Sequence, residues 1–178
     1  MLLTGAPGVG KTTIVNRLCT HCSAKRVTVH GITTREIREK GMRVGFKITD
    51  VATGKEGCLA RKDKSERVRV GSYLVVTQDL EQIGVAALDR ALEGSADIVV
   101  VDEIGPMEMT SLSFRSAVSK VLDRKQPTVV TVKLGSHYTE VEKIRGSCIR
   151  LEVSKGNREA VYRRLIEQVD EWTVESRS

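Results

Sequence analysis

The fold of this 178-residue chain is decided by residues 5–12, Gly5-Ala6-Pro7-Gly8-Val9-Gly10-Lys11-Thr12. They fit the pattern G-x-x-x-x-G-K-[ST] fully, between a short apolar segment and a segment with helical spacing of its apolar residues. A strand, a glycine-rich turn and a helix in this order are the context of a P-loop. Glycines let backbone amides surround a polyphosphate without Cβ clashes, and the start of the following helix favours an anion. The stretch therefore predicts a polyphosphate site.

The residue types of this loop have predicted roles in nucleotide binding. Lys11 can bridge the β- and γ-phosphates, which makes it a candidate catalytic residue, and the Thr12 hydroxyl can bind Mg²⁺. Mg²⁺ is therefore the predicted cofactor. The candidate nucleotide-binding residues of this stretch are Gly5, Ala6, Pro7, Gly8, Val9, Gly10, Lys11, Thr12 and Thr13.

A second motif, Ile98-Val99-Val100-Val101-Asp102-Glu103, supplies the acidic residues that a P-loop needs. The uniformly apolar run is typical of a strand covered on both faces, and it delivers Asp102 to the carboxyl edge of the sheet. There Asp102 can hold Mg²⁺ through water, beside Thr12, and the adjacent Glu103 can polarise a water for in-line attack on the γ-phosphate. We therefore expect Asp102 and Glu103 to bind the nucleotide, with Glu103 catalytic.

Two further features extend the predicted nucleotide site. Gly105 completes a D-x-x-G pattern with Asp102, but no Asn-Lys-x-Asp follows to read guanine, so a dedicated GTPase is not favoured. Asn157 and Arg158 come after the last predicted strand, where a base can rest. A helix cap by Asn157 with a solvated Arg158 is an equal alternative.

The rest of the chain alternates predicted strands and helices. This favours an α/β fold of the P-loop NTPase (RecA/AAA-like) type, a mostly parallel sheet sandwiched by helices. A single domain is predicted over residues 1–178. Residues 44–76 alternate apolar and polar residues around glycine-rich turns, which predicts an inserted antiparallel β-hairpin region. Residues 33–43 are polar and basic and are predicted to form an exposed arm.

The composition excludes several classes of protein. Lysine and arginine number 29 against 23 aspartates and glutamates, and hydrophobic residues make up 40%, a balance typical of a globular domain. No apolar run reaches the ~18 residues of a membrane helix and no signal-peptide pattern is visible, so we expect a cytoplasmic protein without a membrane partner. Cys19 and Cys22 share an apolar helix face and are predicted to be core thiols, because no second cysteine pair exists to complete a zinc site.

The chain carries, in order, the P-loop, Gly31 with Thr34, Glu36 and Arg38, then Arg43-Val44-Gly45-Phe46, Val70-Gly71-Ser72-Tyr73, Asp102-Glu103-Ile104-Gly105-x-Met107-Glu108 and Asn157-Arg158. Together they resemble the thermophile-type nucleoside-triphosphatase family of small P-loop phosphatases. The resemblance implies Mg²⁺-dependent hydrolysis of nucleoside triphosphates (ATP, GTP, CTP and UTP) to diphosphates. It also makes Arg38 and Arg43 the best candidates for an arginine finger on the γ-phosphate.

Two alternatives belong to other functional classes. A nucleotide or small-molecule kinase can use the same scaffold, with the 33–43 arm as an arginine-rich lid. A nucleic-acid-stimulated ATPase or binding module can use the basic residues of the hairpin region, although a solvated face interleaved with acidic residues is favoured. The oligomeric state is open. The basic residues in question are Arg61, Lys62, Lys64, Arg67 and Arg69.

Overall fold

The computed structural model describes residues 1–63, 65–94 and 96–175 of the chain. Its strands are β1 (Leu2–Gly5), β2 (Val29–Glu39), β3 (Met42–Asp50), β4 (Glu56–Arg61), β5 (Val68–Val70), β6 (Tyr73–Val75), β7 (Ile98–Ile104), β8 (Thr128–Lys133) and β9 (Arg150–Val153). Its helices are α1 (Lys11–Ala24), α2 (Thr77–Asp79), α3 (Ala86–Leu92), α4 (Leu112–Leu122), α5 (Thr139–Arg145) and α6 (Arg158–Glu175). A π-helical segment, Leu80–Val85, joins α2 to α3, and a 3-10 turn, Glu108–Thr110, follows β7.

The strands of the described residues form one sheet in the order β5-β6-β4-β3-β2-β7-β8-β1-β9. In this order, the pairs β2-β7, β7-β8, β8-β1 and β1-β9 are parallel. β8 lies between β1 and β7, so the loop after β1 and the acidic end of β7 open at the same edge. This edge is where a doubly wound sheet binds its ligands. The arrangement confirms the predicted α/β fold of the P-loop NTPase type.

Helices cover both faces of the parallel half of the sheet. Neighbouring residues of β1 point to opposite faces and therefore pack against different helices. Leu3 packs with the apolar faces of α1 and α6, in a cluster that includes Leu18 and Leu165. Leu2 packs with α3 and α4 on the other face, in a cluster that includes Phe114. The four-residue strand β1 therefore contributes to two cores at once. Cys22 is buried in the first cluster, as predicted for a core thiol.

The antiparallel half of the sheet begins earlier than the sequence indicated. β2 pairs in parallel with β7 from Val29 to Ile32 and continues in antiparallel pairing with β3 from Ile32 to Glu39. β4, β6 and β5 then extend the sheet with antiparallel pairs. The prediction of an exposed arm over residues 33–43 agrees with the exposure of Arg35 and residues 38–43, but it missed that these residues form a paired β-hairpin of β2 and β3. The charged side chains there pair across and along the strands, which a reading of polarity alone does not reveal.

Two local features were not predicted. α5 has only seven residues, of which Glu140 and Val141 are buried, so its apolar periodicity is too short to read from the sequence. The π-helical segment places Ile83 and Gly84 against the core, where Gly84 lies close to Ile48 and Leu80. Within the described residues, no helix has the length and apolarity needed to cross a bilayer.

Gly31 allows β2 to approach β7 closely. Its φ is +109°, and an added Cβ would lie 1.9 Å from the backbone oxygen of Val100. We expect Gly31→Ala to lower the free energy of unfolding by about 3 kcal/mol or more, because backbone strain and a backbone clash act together. Urea unfolding followed by circular dichroism measures this loss.

Gly54→Ala is the matched control for this prediction. Gly54 has a φ of +72°, but apart from the glycine and its two chain neighbours no described atom lies within 4 Å of an added Cβ. Only strain of about 1–2 kcal/mol should then appear. Equal losses for the two variants would contradict the role assigned to the contact between Gly31 and Val100.

Candidate active site

The P-loop takes its shape from glycines at two kinds of position. Gly8 and Gly10 have φ values of +73° and +106°, in the region that favours glycine. Gly5 lies so close to β9 that an added Cβ would be 2.6 Å from the backbone oxygen of Val153. Val9 turns its side chain into the core beneath the loop. The loop is thus anchored to the sheet on one side and presents its backbone to the cleft on the other.

Lys11 lies inside this loop at the first position of α1. Its side chain is 5% exposed, and Nζ donates to the backbone oxygens of Gly5 at 3.1 Å and Ala6 at 3.4 Å. Nζ is also 3.4 Å from Oε2 of Glu103 at the end of β7. The structure therefore brings together the two residues that the sequence marked as catalytic.

Asp102 is fully buried beside the P-loop. The hydroxyl of Thr131, on the neighbouring strand β8, donates to Oδ1 at 2.5 Å, while Oδ2 has no hydrogen-bond partner among the described residues. Burial raises the pKa of Asp102 to about 6, whereas the hydroxyls of Thr131 and Thr12 act in the opposite direction. A buried carboxylate of this kind requires a partner for its charge.

The residues around Asp102 fit a magnesium ion. The unpaired Oδ2 and the nearby Thr12 hydroxyl are hard oxygen donors of the type that Mg²⁺ prefers, and Mg²⁺ commonly keeps several waters and phosphate oxygens as its other ligands. Within the described parts of the chain, no three His, Cys, Asp or Glu residues converge to hold a metal. A cation here would therefore depend on the nucleotide for part of its coordination.

A cleft of about 620 Å³ opens above these residues at the carboxyl edge of the sheet. The P-loop forms one wall, and β2 and β3 form the opposite wall. Its lining comprises Pro7, Gly8, Gly10, Lys11, Thr12, Thr13, Thr34, Arg35, Glu36, Arg38, Arg43, Phe46, Glu103, Pro106, Met107 and Glu108.

The candidate finger residues Arg38 and Arg43 lie in this opposite wall and share Glu36 as their partner. Arg43 donates to Oε1 of Glu36 at 2.8 Å and to the Tyr73 hydroxyl at 2.8 Å, and its guanidinium lies 5.2 Å from the ring centre of Phe46. Arg38 donates from Nε and Nη2 to Oε2 of Glu36 at 2.9 Å and 2.6 Å. Burial acts to raise the pKa of Glu36, but the bonds from the two arginines hold it below its ordinary value.

The residues at the start of α6 lie on the other side of the P-loop. An added Cβ at Gly10 would be 3.3 Å from Nε of Arg158, so this side chain lies along the loop. The side chain of Asn157 accepts from the backbone N–H of Ser154 at 2.8 Å and donates to the oxygen of Glu152 at 2.9 Å. Asn157 thus braces the turn before α6, and its own backbone oxygen accepts the bond from Val161 at 2.9 Å.

Three residues of the site had no assigned role in the sequence reading. Thr131 lies in an apolar strand, and only the pairing of β8 with β7 shows that its hydroxyl meets Asp102. Glu36 joins the two arginines because β2 and β3 form a hairpin. Glu108 is buried against Gly105, where an added Cβ would be 2.8 Å from its Oε2.

The P-loop, the buried Asp102 and the adjacent Glu103 on a doubly wound sheet define the class of P-loop nucleoside triphosphatases. A family model described as NTPase matches residues 1–166, so the chain belongs to the NTPase family.

Sequence relatives and solved structures agree with this assignment. The chain is 48% identical over 131 residues to the nucleoside-triphosphatase THEP1 of Thermofilum pendens, a match covering 74% of this chain and 71% of that protein. It is 40% identical over 167 residues to THEP1 of Thermotoga maritima, covering 93% and 92%.

The crystal structure of THEP1 from Aquifex aeolicus superposes with a TM-score of 0.83 at 28% identity, covering 95% of this chain and 98% of that one. The solution structure of a human cancer-related nucleoside triphosphatase gives a TM-score of 0.81 at 31% identity, covering 96% and 97%. The likeness therefore extends over almost the whole sheet with its antiparallel extension.

The hydrogen bond from Thr131 generates a prediction about the metal. Thr131→Val keeps the shape of the side chain but removes the donor that orients the Asp102 carboxylate. We expect the Mg²⁺ concentration for half-maximal activity to rise about 10- to 100-fold, as is usual when a residue that supports a metal ligand is lost. Titration of nucleotide hydrolysis with Mg²⁺ measures the change.

Thr131→Ser is the control, because it retains the hydroxyl in the same strand. Its Mg²⁺ concentration for half-maximal activity should stay within about threefold of the wild-type value, a much smaller change than is expected when the partner of a metal ligand is lost. A Val variant with an unchanged Mg²⁺ requirement would show that the hydroxyl does not support metal binding.

Proposed function

We propose that this protein hydrolyses nucleoside triphosphates to the diphosphate and phosphate, with Mg²⁺, in the cleft between the P-loop and the wall formed by β2 and β3. The observation that carries the proposal is the convergence of a phosphate-binding lysine with an acidic pair. Lys11 lies 3.4 Å from Glu103, and Asp102 is buried beside them. The membership of the NTPase family supports the same reaction class.

The chain's own groups provide the binding and the proton chemistry. Backbone amides of the P-loop and the start of α1 hold the phosphates, and Lys11 moves its ammonium from the loop oxygens to the β- and γ-phosphate oxygens. Bound Mg²⁺ supplies charge neutralisation of the phosphates. Glu103 orients a water for in-line attack and accepts its proton as the new P–O bond forms and the bond to the β-phosphate oxygen breaks. The diphosphate leaves with the electron pair of the broken bond.

The arginines of the opposite wall are proposed to meet the γ-phosphate. Arg38 and Arg43 line the same cleft as Lys11, and each already holds a carboxylate oxygen of Glu36 with its guanidinium. A γ-phosphate, although tetrahedral, also offers paired oxygen acceptors that a guanidinium can bind, and it carries more charge than a carboxylate. Exchange of Glu36 for phosphate by one arginine would place a cation on the charge that develops in the transition state.

We propose broad base tolerance, with ATP, GTP, CTP and UTP as substrates. Support comes from the resemblance set out above and from the position of Arg158 alongside the P-loop, where a base can rest. The cytoplasmic location also stays a prediction from the sequence.

Neither alternative function gains support from the structure. Residues 33–39 belong to β2 and are held in the sheet, so they do not form the separate lid that a kinase reading required. Several basic side chains of the antiparallel half are already paired: Arg61 with Glu39 and Asp63, and Lys47 with Glu56. Lys64 lies outside the described residues.

Hydrolysis is tested by phosphate release from the four nucleotides with Mg²⁺ and no added acceptor. We expect Lys11→Ala and Glu103→Gln each to lower kcat by ~10²-fold or more, as is usual for the loss of a key catalytic group. Glu103→Gln should still bind nucleotide, since the change removes only the base.

The control for this assay is Glu171→Gln, an exposed change on α6 far along the chain from the cleft residues. It should leave release at the wild-type rate. If the wild type releases phosphate only when an acceptor or nucleic acid is added, the triphosphatase proposal fails.

The arginine proposal has its own test. Arg38→Ala and Arg43→Ala are compared with Arg61→Ala, which removes an arginine of β4 that pairs with Asp63 and does not contribute to the cleft lining given above. The variant of the arginine that meets the γ-phosphate should lose roughly 10³-fold in kcat, the usual value of an arginine finger. If kcat of both Arg38→Ala and Arg43→Ala stayed within about threefold of wild type, a much smaller loss than an arginine finger causes, neither residue would act as the finger.

A further inference from the structure

Glu108 is a buried acidic residue that the reaction described above does not use. It lies in the 3-10 turn after β7, is 4% exposed and contributes to the cleft lining. Backbone N–H groups of Glu108 itself and of Gly105 lie near its carboxyl group and act to lower its pKa. Acidic side chains are rarely fully buried, so the position of Glu108 calls for an explanation.

Glu108 lies close to Glu103, the proposed base. An added Cβ at Gly105 would lie 2.8 Å from Oε2 of Glu108 and 3.3 Å from Oε1 of Glu103. The two carboxyl groups thus flank Gly105, with these oxygens at most about 6 Å apart, a gap that one water can bridge. A side chain at residue 105 would displace the Glu108 carboxyl group, so the glycine allows the two carboxyl groups to lie on either side of it.

The surroundings favour a neutral Glu108. Burial raises its pKa to about 8, although the backbone N–H groups of Glu108 and Gly105 act to lower it, and the carboxylates of Glu103 and Asp102 act in the same direction as burial. Tyr138, before α5, is the third titratable neighbour, and its own pKa is raised by burial and by Glu108 and Glu103. On α4, which packs on the turn, Arg115 donates to Glu140 at 3.0 Å. At neutral pH Glu108 therefore carries a proton that it can donate.

We propose that Glu108 is a positioning residue for Glu103: its carboxyl group donates a hydrogen bond to the Glu103 carboxylate, directly or through one water, and holds it towards the attacking water. The inference rests on the proposed role of Glu103. A neutral donor fixes the orientation of the base and leaves its charge in place. An ionised Glu108 has no proton to donate and adds a second negative charge beside the base.

The first test compares Glu108→Gln with Glu108→Leu in steady-state hydrolysis at pH 7. The amide of glutamine can still donate, so kcat should stay within about threefold of wild type. Leucine has a similar volume and no donor, so kcat should fall about 10- to 100-fold with KM unchanged, the value of a hydrogen bond to a charged group. A Leu variant with wild-type kcat would overturn the proposal.

The second test is the pH profile, which a merely structural role would not change. Wild-type kcat should fall as the pH rises through about 8, because Glu108 loses its proton there. Glu108→Gln should lack this fall. Glu140→Gln, a change at another buried acid, should keep it. Persistence of the alkaline fall in Glu108→Gln would contradict the proposal even if the Leu variant failed to fold.

A double variant separates this proposal from the proposed function. If Glu108 acts through Glu103, adding Glu108→Leu to Glu103→Gln should lower kcat by less than about threefold beyond the loss for Glu103→Gln alone, because the effects of coupled residues are not additive. A full additional loss would show that Glu108 acts independently. If Glu103→Gln alone retained wild-type activity, the water-activating role of Glu103 would fail, irrespective of Glu108.

Discussion

The site depends on the burial of one carboxylate, that of Asp102, beside the P-loop. Asp102 is fully buried, and the hydroxyl of Thr131 is the donor that the fold provides for it. That contact exists only because β8 runs in parallel between β1 and β7. The same pairing places the P-loop next to the acidic end of β7. The burial of Asp102, the position of the proposed Mg²⁺ site and the proximity of Lys11 to Glu103 are therefore consequences of a single strand order.

The antiparallel half completes the site by building the wall opposite the P-loop. β2 belongs to both halves of the sheet and carries Thr34, Glu36 and Arg38 into the cleft lining. In the cluster of Glu36 with Arg38 and Arg43, both arginines lie in the cleft wall and each is paired with the Glu36 carboxylate. Its value to stability is small because the pairs are partly exposed, so its importance lies in the placement of charge.

The local motifs could be predicted from the sequence because their residue types and spacing suffice. The P-loop and the apolar run before Asp102 each identify a strand end and a function without knowledge of distant contacts. Thr131 and Glu108 could not be assigned a role in this way. A threonine in an apolar strand and a glutamate in a turn are both common. The role of Thr131 depends on its contact with Asp102, about 30 positions away, and that of Glu108 depends on its burial. The exposure of residues 33–43 could be predicted from their polarity, but their pairing as a β-hairpin could not, because charged residues paired across two strands have the same composition as a solvated segment.

The continuity of β2 has a consequence for how the cleft can adapt to a substrate. The strand runs without a break from its pairing with β7 into the wall of arginines, and the ladder with β3 shifts register only between Ile37 and Arg38. We do not expect a wall that is part of a continuous sheet to swing as a separate rigid lid. Movement of the arginines towards a nucleotide is then a change of side-chain rotamers, which takes nanoseconds rather than the microseconds to milliseconds of a domain closure.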